Sequence, residues 1–259
     1  MLDNQTSRYY PGQNCERDNG IMSDLPVLYH IGRVHEYQND FDDYFGPAAA
    51  GSSGGWTLTG AGSAANVAGD GAFLNLVSPV SAFQSIQKVP ASWVVARGLR
   101  GWGQFQLAID SLLGSIVAGI MNLTATPFTP ASITDGIYFT SAANTGVLTA
   151  NVANAGVISS IVLATSLVPN QQALLSAYWD GGVYSSAPGG RVIFEASGPG
   201  VTANVRGEFV IPASTAIAGT VAQAVTLGVN ASTAVARTLS TDRVYVAKDE
   251  ININSTPPF

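Results

Sequence analysis

The chain has 259 residues, of which 46% are hydrophobic and only 11% are charged, and its formal net charge at pH 7 is −6. This length accommodates one large β domain or two smaller units, and it is ample for a hydrophobic core. The acidic balance and the scattered lysines and arginines argue against nucleic-acid binding, which neutralises phosphates with clustered cations.

The first 50 residues differ in composition from the rest. Residues 1–50 hold eleven charged residues and both histidines, and prolines and glycines interrupt them. Aromatic side chains at this density, in a segment without a core of its own, predict an extended arm that packs on another surface, in the same chain or in a neighbour. A partly disordered leader is the alternative. The predicted contacts of the arm are Tyr9, Tyr10, Tyr29, Tyr37, Phe41, Tyr44 and Phe45.

A linker of small residues at 47–55 follows, and residues 51–259 are predicted to form one β domain. Short runs of strand-forming residues recur there, separated by Gly, Pro or Asn, which is typical of a sandwich or barrel. Only residues 84–92 and 215–224 could hold a short helix, so the predicted class is all-β. The predicted strands cover residues 56–59, 73–77, 93–97, 104–110, 116–122, 136–140, 147–152, 157–163, 174–180, 191–196, 201–205, 208–211, 224–230 and 238–247.

The clearest strand pattern lies at residues 104–110. Phe105, Leu107 and Ile109 fall on one face of such a strand, and the polar or small residues between them fall on the other. We therefore expect one face of this strand to contact the core and the other to contact water.

Between Asp110 and Asp180 the chain carries a single formal charge, Asp135. Interleaved polar side chains and prolines exclude a membrane span in this stretch. The first residues also lack the basic and apolar regions of a secretory signal, so we expect use without export. Because unpaired ions are costly to bury, the missing charge predicts burial against partners.

Patterns that suggest catalysis lack the context that catalysis needs. Residues 51–55 match G-x-S-x-G, but the serine lies in a linker and both histidines precede it. Residues 60–65 match G-x-G-x-x-A, but no amphipathic helix follows, which predicts a turn between strands.

Metal ligands and paired carboxylates are no better supported. His30 and His35 have no third ligand at a suitable spacing. The carboxylates form no E-x-D-x-x-E array of the kind that sandwich glycosidases place on one strand. Asp135 and Asp180 are each followed by a glycine, which predicts that they are turn residues. We predict no enzymatic activity, no metal and no cofactor.

Several short runs of the sequence resemble tailed-bacteriophage virion proteins with a concanavalin-like jelly roll. Together they span residues 39 to about 247, and the runs are Asn39-Asp-Phe-Asp-Asp-Tyr44, Trp56-Thr-Leu-Thr-Gly-Ala-Gly-Ser63, Gly69-Asp-Gly-Ala-Phe-Leu74, Thr134-Asp-Gly-Ile-Tyr-Phe139 and Ala177-Tyr-Trp-Asp-Gly181. The resemblance implies a jelly-roll (concanavalin-like) β-sandwich preceded by an extended N-terminal arm. The long aromatic arm departs from the family pattern.

The function that this resemblance implies is that of a non-enzymatic capsid decoration or cement protein. Its partners would be the major capsid protein and further copies of itself, and it would be made in the host cytoplasm and reside on the outer surface of the virion. We expect a homo-oligomer, and a trimer in particular, because local threefold positions of a capsid favour one.

A carbohydrate-binding module of a phage tail fibre or spike is the main alternative, and a polysaccharide hydrolase or lyase is a third. Aromatic residues of the β domain could stack on sugars in such a module. Tyr178 and Trp179 are adjacent in a predicted strand and must point to opposite faces, so at most one of them faces a ligand. The candidates are Trp93, Trp102, Tyr138, Tyr178, Trp179 and Tyr184.

Overall fold

The structure is a computed structural model that describes residues 34–39, 41, 46–67, 73–91, 93, 100–180, 190–211, 221–232 and 235–249. Two eight-stranded antiparallel sheets pack face to face in a jelly-roll β-sandwich, which confirms the predicted fold class. The described residues include one short 3-10 helix, Pro130–Ser132, and no α-helix. Within the described residues, no helix is long and apolar enough to cross a membrane.

Sheet A has the strand order β14-β13-β12-β7-β16-β5-β4. An additional strand, β1, pairs with the second half of β16, beyond the part of β16 that pairs with β5. The strands are β1 (Val34–Asn39), β4 (Ser63–Val67), β5 (Phe73–Ser78), β7 (Arg100–Ile109), β12 (Ala173–Asp180), β13 (Arg191–Ser197), β14 (Val205–Val210) and β16 (Arg237–Asp249).

Sheet B has the order β11-β10-β9-β8-β15-β6-β3-β2. Its central strands, β8 and β15, pair over nine residues each. The strands are β2 (Gly51–Ser53), β3 (Trp56–Gly60), β6 (Phe83–Lys88), β8 (Gly114–Asn122), β9 (Gly136–Ser141), β10 (Val147–Asn154), β11 (Val157–Ser166) and β15 (Gln223–Ala231).

The core lies between the two sheets and follows the alternation of the strands. In β7, Phe105, Leu107 and Ile109 are buried in the core, whereas the residues between them are partly exposed. The inward and outward faces predicted for residues 104–110 are therefore confirmed. Phe139 of sheet B and Phe194 of sheet A meet edge to face across the core, with ring centroids 5.2 Å apart.

Most predicted strands are present, and the differences have physical reasons. Residues 83–88 form β6, so the short helix considered for residues 84–92 is wrong there. Gln84, Ser85 and Gln87 made this segment look like a surface helix, but they are buried in the middle of sheet B. The two strands predicted at 201–205 and 208–211 are replaced by the single strand β14 and an isolated bridge at Val201. β1, β2, β4 and β6 were not predicted from the sequence.

The nearly uncharged stretch between Asp110 and Asp180 supplies four of the eight strands of sheet B, β8 to β11. In β8, Ile116, Ala118 and Ile120 point into the core, while Val117 and Met121 belong to a second apolar cluster on the outer face of the sheet. Both faces of this strand are buried within the chain. Internal burial thus accounts for part of the missing charge.

The second cluster is covered by residues 123–135, which connect β8 to β9 and are called the covering loop below. Ile133 is buried against Met121 and Tyr138, and Phe128 packs on the same cluster. The ring centroids of Phe128 and Phe83 lie 5.8 Å apart. The outer face of sheet B is therefore closed by the chain itself at this point.

Part of the segment predicted as an arm contacts the sandwich of its own chain. Residues 34–39, including Tyr37, pair as β1 with β16. Phe41 is fully buried in the core, and its ring centroid lies 5.9 Å from that of Trp56. The other predicted arm contacts, Tyr9, Tyr10, Tyr29, Tyr44 and Phe45, lie outside the described residues.

Candidate functional site

A cleft of about 420 Å³ opens on the outer face of sheet A. It lies over β4, β5, β16 and the end of β7, beside the connection between β11 and β12. Its volume falls within the range of small-molecule sites. The lining residues are Val67, Phe73, Asn75, Ala108, Ile109, Asp110, Asn170, Gln172, Thr238 and Ser240.

Strand alternation explains why the cleft forms here. Ala108 faces outward between the inward Leu107 and Ile109, and it lies opposite Ser240 of β16. Ser240 in turn lies opposite Asn75 of β5. Small side chains at adjacent positions across the sheet leave a depression, and the larger Phe73 stands beside it.

The connection between β11 and β12 is fixed to the sheet by backbone hydrogen bonds. In this connection, the Asn170 amide donates to the Ile109 carbonyl at 2.8 Å. Beside it, the Asp110 amide donates to the Thr238 carbonyl of β16 at 3.1 Å. The Gly200 amide donates to the Gln172 carbonyl at 2.7 Å. A Cβ atom on Gly200 would lie 2.2 Å from the Ala173 nitrogen, so this close approach requires glycine. The position of Gln172 at the cleft is therefore set by the backbone.

The polar atoms of the cleft are unevenly paired. The Ser240 hydroxyl donates to Asn75 Oδ1 at 2.7 Å. Asp110 Oδ1 and Gln172 Oε1 are buried, and neither accepts a hydrogen bond from any described residue. Buried acceptors without a donor are uncommon in folded proteins and call for an explanation at each occurrence. A hydroxyl or amine donor of a bound molecule would satisfy either oxygen if the side chain turned towards the cleft.

The charge of the cleft restricts what it can bind. Asp110 is the single formally charged residue among the lining residues that the structure describes. A carboxylate with no cation beside it repels phosphates and acids and favours neutral or cationic molecules. Phe73 adds a partly exposed aromatic ring to the wall. This combination suits a neutral molecule with several hydroxyl groups and an apolar face.

The aromatic residues proposed for sugar stacking do not line this cleft. Trp179 lies in the core, and Tyr178 faces the outer side of sheet A, which confirms that the two point to opposite faces. Trp102 packs against Tyr245 on that outer side, with ring centroids 6.2 Å apart. All the described candidates are buried, namely Trp93, Trp102, Tyr138, Tyr178 and Trp179. Tyr184 lies outside the described residues.

The cleft itself was missed from the sequence. Its residues come from five separate stretches, and no two of them form a recognised motif. The one signal in the sequence was the alternation of inward and outward residues. In β5 the outward residues Phe73 and Asn75 alternate with leucines, and at the end of β7 Ala108 and Asp110 flank the inward Ile109. Such alternation gives the face of each strand but not which strands are neighbours.

The structure also places the segments that resembled catalytic motifs. Residues 51–55 form the hairpin of β2 and β3, not a strand that turns into a helix. Residues 61 and 62 connect β3 to β4, and residues 63–65 belong to β4, so the predicted turn between strands is present. His35 and Glu36 are neighbours in β1, and within the described ranges no three His, Cys, Asp or Glu residues group closely enough to hold a metal.

The two aspartates predicted as turn residues have different outcomes, because Gly181, which follows Asp180, lies outside the described residues. Asp135 is buried at the end of the covering loop, where Oδ1 accepts from the Ala155 amide at 3.4 Å. Gly136 is the first residue of β9, and a Cβ atom there would lie 2.6 Å from the Ile120 carbonyl oxygen. The tight turn predicted at these two residues is therefore wrong. Asp180 is the buried last residue of β12.

The architecture and the cleft define the chain as a concanavalin-like jelly-roll sandwich with a polar cleft on one outer face. Solved structures share this fold. Lectin II from Ulex europaeus is similar with a TM-score of 0.56 and 11% identity, over 83% of this chain and 98% of that chain. An endo-1,3-beta-glucanase from Streptomyces sioyaensis is similar with a TM-score of 0.51 and 11% identity, over 86% of this chain and 99% of that chain.

A protein of unknown function from Shewanella oneidensis MR-1 is also similar, with a TM-score of 0.53 and 14% identity, over 85% of this chain and 89% of that chain. No protein-family model matches the chain, and no curated protein matches it in sequence. At these identities the likeness concerns the fold, which lectins and a glucanase both use.

Proposed function

We propose that the protein is a non-enzymatic carbohydrate-binding sandwich, with the cleft on the outer face of sheet A as its site. The observation that carries this proposal is that two buried acceptors of the cleft residues, Asp110 Oδ1 and Gln172 Oε1, have no donor among the described residues. Sugar hydroxyls donate to such oxygens, and the apolar face of a sugar packs on an aromatic ring such as that of Phe73. The resemblance to phage proteins would place this module on a tail fibre or spike.

The fold comparisons support the class of ligand but not its identity. Lectins with this fold include lectin II from Ulex europaeus and peanut lectin. The cleft adds two restrictions on the ligand: it needs hydrogen-bond donors, and the described lining residues include no cation that would bind an acidic group.

The test is a screen of the full chain against an array of neutral, amino and acidic oligosaccharides, followed by calorimetry on the strongest neutral ligand. Asp110→Asn replaces a charged acceptor by a weaker neutral one, and Gln172→Ala removes an acceptor, so each should weaken binding by roughly tenfold or more. Gln104→Ala is the matched control, because Gln104 lies on the same strand and outer face as Ala108 but does not line the cleft. Binding that is unchanged in both cleft variants would refute this site.

A capsid decoration protein, bound to the major capsid protein on the outside of a virion, is the second candidate. The observation that favours it is the uncharged and exposed strand β11, which suits burial against another protein. Copurification of the full chain with virions in a fixed ratio would support this role, and its absence from purified virions would rule it out.

A deletion tests the contribution of the arm to this second role. The deletion must end before Val34, because residues 34–39 belong to sheet A and Phe41 belongs to the core. A chain without residues 1–30 should keep the far-ultraviolet spectrum of a β-sandwich and lose its attachment to particles. Undiminished attachment would show that the arm is not the contact.

A further inference from the structure

Five strands of the two sheets have a neighbour on one side only, β1, β2, β4, β11 and β14, and they differ in their protection against pairing with another chain. β1 has six residues and includes Glu36. β2 has three residues and β4 has five, so both are short. β14 carries Arg206 and Glu208 at exposed positions. β11 has ten residues, Val157–Ser166, with neither a charged residue nor a proline. Short length, charge and proline are the usual means of protecting an edge, and β11 has none of them.

The free side of β11 is regular over most of its length. From Val157 to Val162, every residue pairs with β10 in an unbroken register. Val157 is 69% exposed and Val162 is 68% exposed. On the side away from β10, residues 157–164 form no backbone hydrogen bond with any described residue.

The C-terminal end of β11 is covered by residues 201–203 of the same chain. Leu167 forms a bridge with Val201, and the Thr202 amide donates to the Ser166 carbonyl at 2.9 Å. The Thr165 hydroxyl donates to the Ala203 carbonyl at 2.7 Å. The open edge is therefore limited to residues 157–164, which are called the β11 edge below.

We propose that the β11 edge pairs antiparallel with the β11 edge of a second copy of the chain. An exposed row of unpaired amide and carbonyl groups beside apolar side chains is a template for strand addition. The pairing joins two eight-stranded copies of sheet B into one continuous sheet.

Two arguments identify the occupant as a second copy. Antiparallel pairing of identical strands about a twofold axis is self-complementary, so the groups that one copy offers are those that the other needs. The second argument is electrostatic. Each chain has a net charge of −6, but the β11 edge carries no charge, so two copies meet there without like charges opposite each other.

This inference differs from the trimer expected from the sequence, because pairing about a twofold axis gives a dimer. It also leaves the cleft accessible. The cleft lies over β7, β16, β5 and β4, whereas the strand of sheet A that contacts β11 is β14, at the opposite end of the sheet. If the proposed function holds, the dimer presents two sugar sites and gains avidity on a repetitive glycan.

The test compares two valine-to-lysine substitutions in the full chain. Val162→Lys places a charge on the β11 edge, and the matched control Val210→Lys places one on β14, where Val210 is 61% exposed. Sedimentation velocity should show a dimer of the 26.7 kDa chain for the wild type and for Val210→Lys. Val162→Lys should raise the dimer dissociation constant by about tenfold or more.

Hydrogen exchange supplies a second measurement that does not depend on mass. Amides of residues 157–164 should exchange more slowly at concentrations where the wild type is dimeric than after dilution, and Val162→Lys should abolish this difference. A monomer at all concentrations, a trimer, or a dimer unaffected by Val162→Lys would each overturn the proposal. None of these outcomes depends on whether a sugar binds.

Discussion

The outer face of sheet B is covered by a loop of the chain, whereas the outer face of sheet A carries an open cleft. On sheet B, the covering loop closes the face with Ile133 and Phe128, and its backbone is held by the side chain of Asn122. On sheet A, Asp110 Oδ1 and Gln172 Oε1 of the cleft are buried and accept no hydrogen bond from a described residue. A satisfied polar network stabilises the fold, whereas a buried polar group without a partner costs stability. The outer face of sheet B is thus closed by the chain itself, whereas sheet A carries the cleft that we propose as a binding site.

The largest expected effect comes from removing the side chain that holds the covering loop. Asn122 Oδ1 accepts from the amides of Thr134 and Asp135, at 2.9 and 3.2 Å, and its Nδ2 donates to the Ser132 carbonyl at 3.1 Å. Asn122→Ala should lower the free energy of unfolding by about 3 kcal/mol, because it leaves buried groups without partners. Urea denaturation measures this change.

Asn75→Ala is the matched control on sheet A, since Asn75 is partly exposed at the cleft. It should cost less than about 1 kcal/mol. Equal losses for the two asparagine variants would remove the distinction between the two faces.

A pH dependence of intermediate size should arise on the closed face. Burial raises the pKa of Tyr138 from 10.0 to about 12, because the phenolate loses its hydration under the covering loop. The unfolded chain therefore ionises this residue first. The resulting stability is fully present below pH 10 and is lost as the pH rises towards 12, by up to roughly 2 to 3 kcal/mol.

Denaturation of the wild type and of Tyr138→Phe at pH 9 and pH 11.5 tests this expectation. Other tyrosines and lysines titrate in both proteins, so the difference between the two isolates Tyr138. Equal losses of stability in both proteins would mean that the Tyr138 hydroxyl ionises as easily in the folded chain as in the unfolded one.

The smallest expected effect lies in the cleft. Gln172→Leu removes a buried acceptor that has no donor in the described chain, so it should leave stability within about 1 kcal/mol of the wild type, with any change being an increase. The same variant should lose sugar binding. Thermal unfolding without ligand measures the first effect, and a fall in the melting temperature of several degrees would show that Gln172 is paired in the free protein.

The faces of single strands could be predicted from the sequence, whereas the neighbours of each strand in the sheet could not. The faces of β7 followed from the alternation of Phe105, Leu107 and Ile109 with smaller or polar residues. β6 was missed because its glutamines are typical of surface residues, and their buried partners are distant in sequence. The Gln87 side-chain amide, for example, donates at 2.9 Å to the hydroxyl of Thr226, which lies 139 residues further along the chain. Local patterns reveal periodicity but not the distant group that makes a buried amide acceptable.

The sequence by itself determined that this protein is an all-β sandwich with little charge between Asp110 and Asp180, because strand periodicity and turn residues act locally. Only the tertiary structure decided which outer face the chain closes, which edge it leaves open and where the cleft lies. These features depend on pairs such as Asn75 and Ser240, 165 residues apart, which become neighbours only when the strand order of the sheet is set.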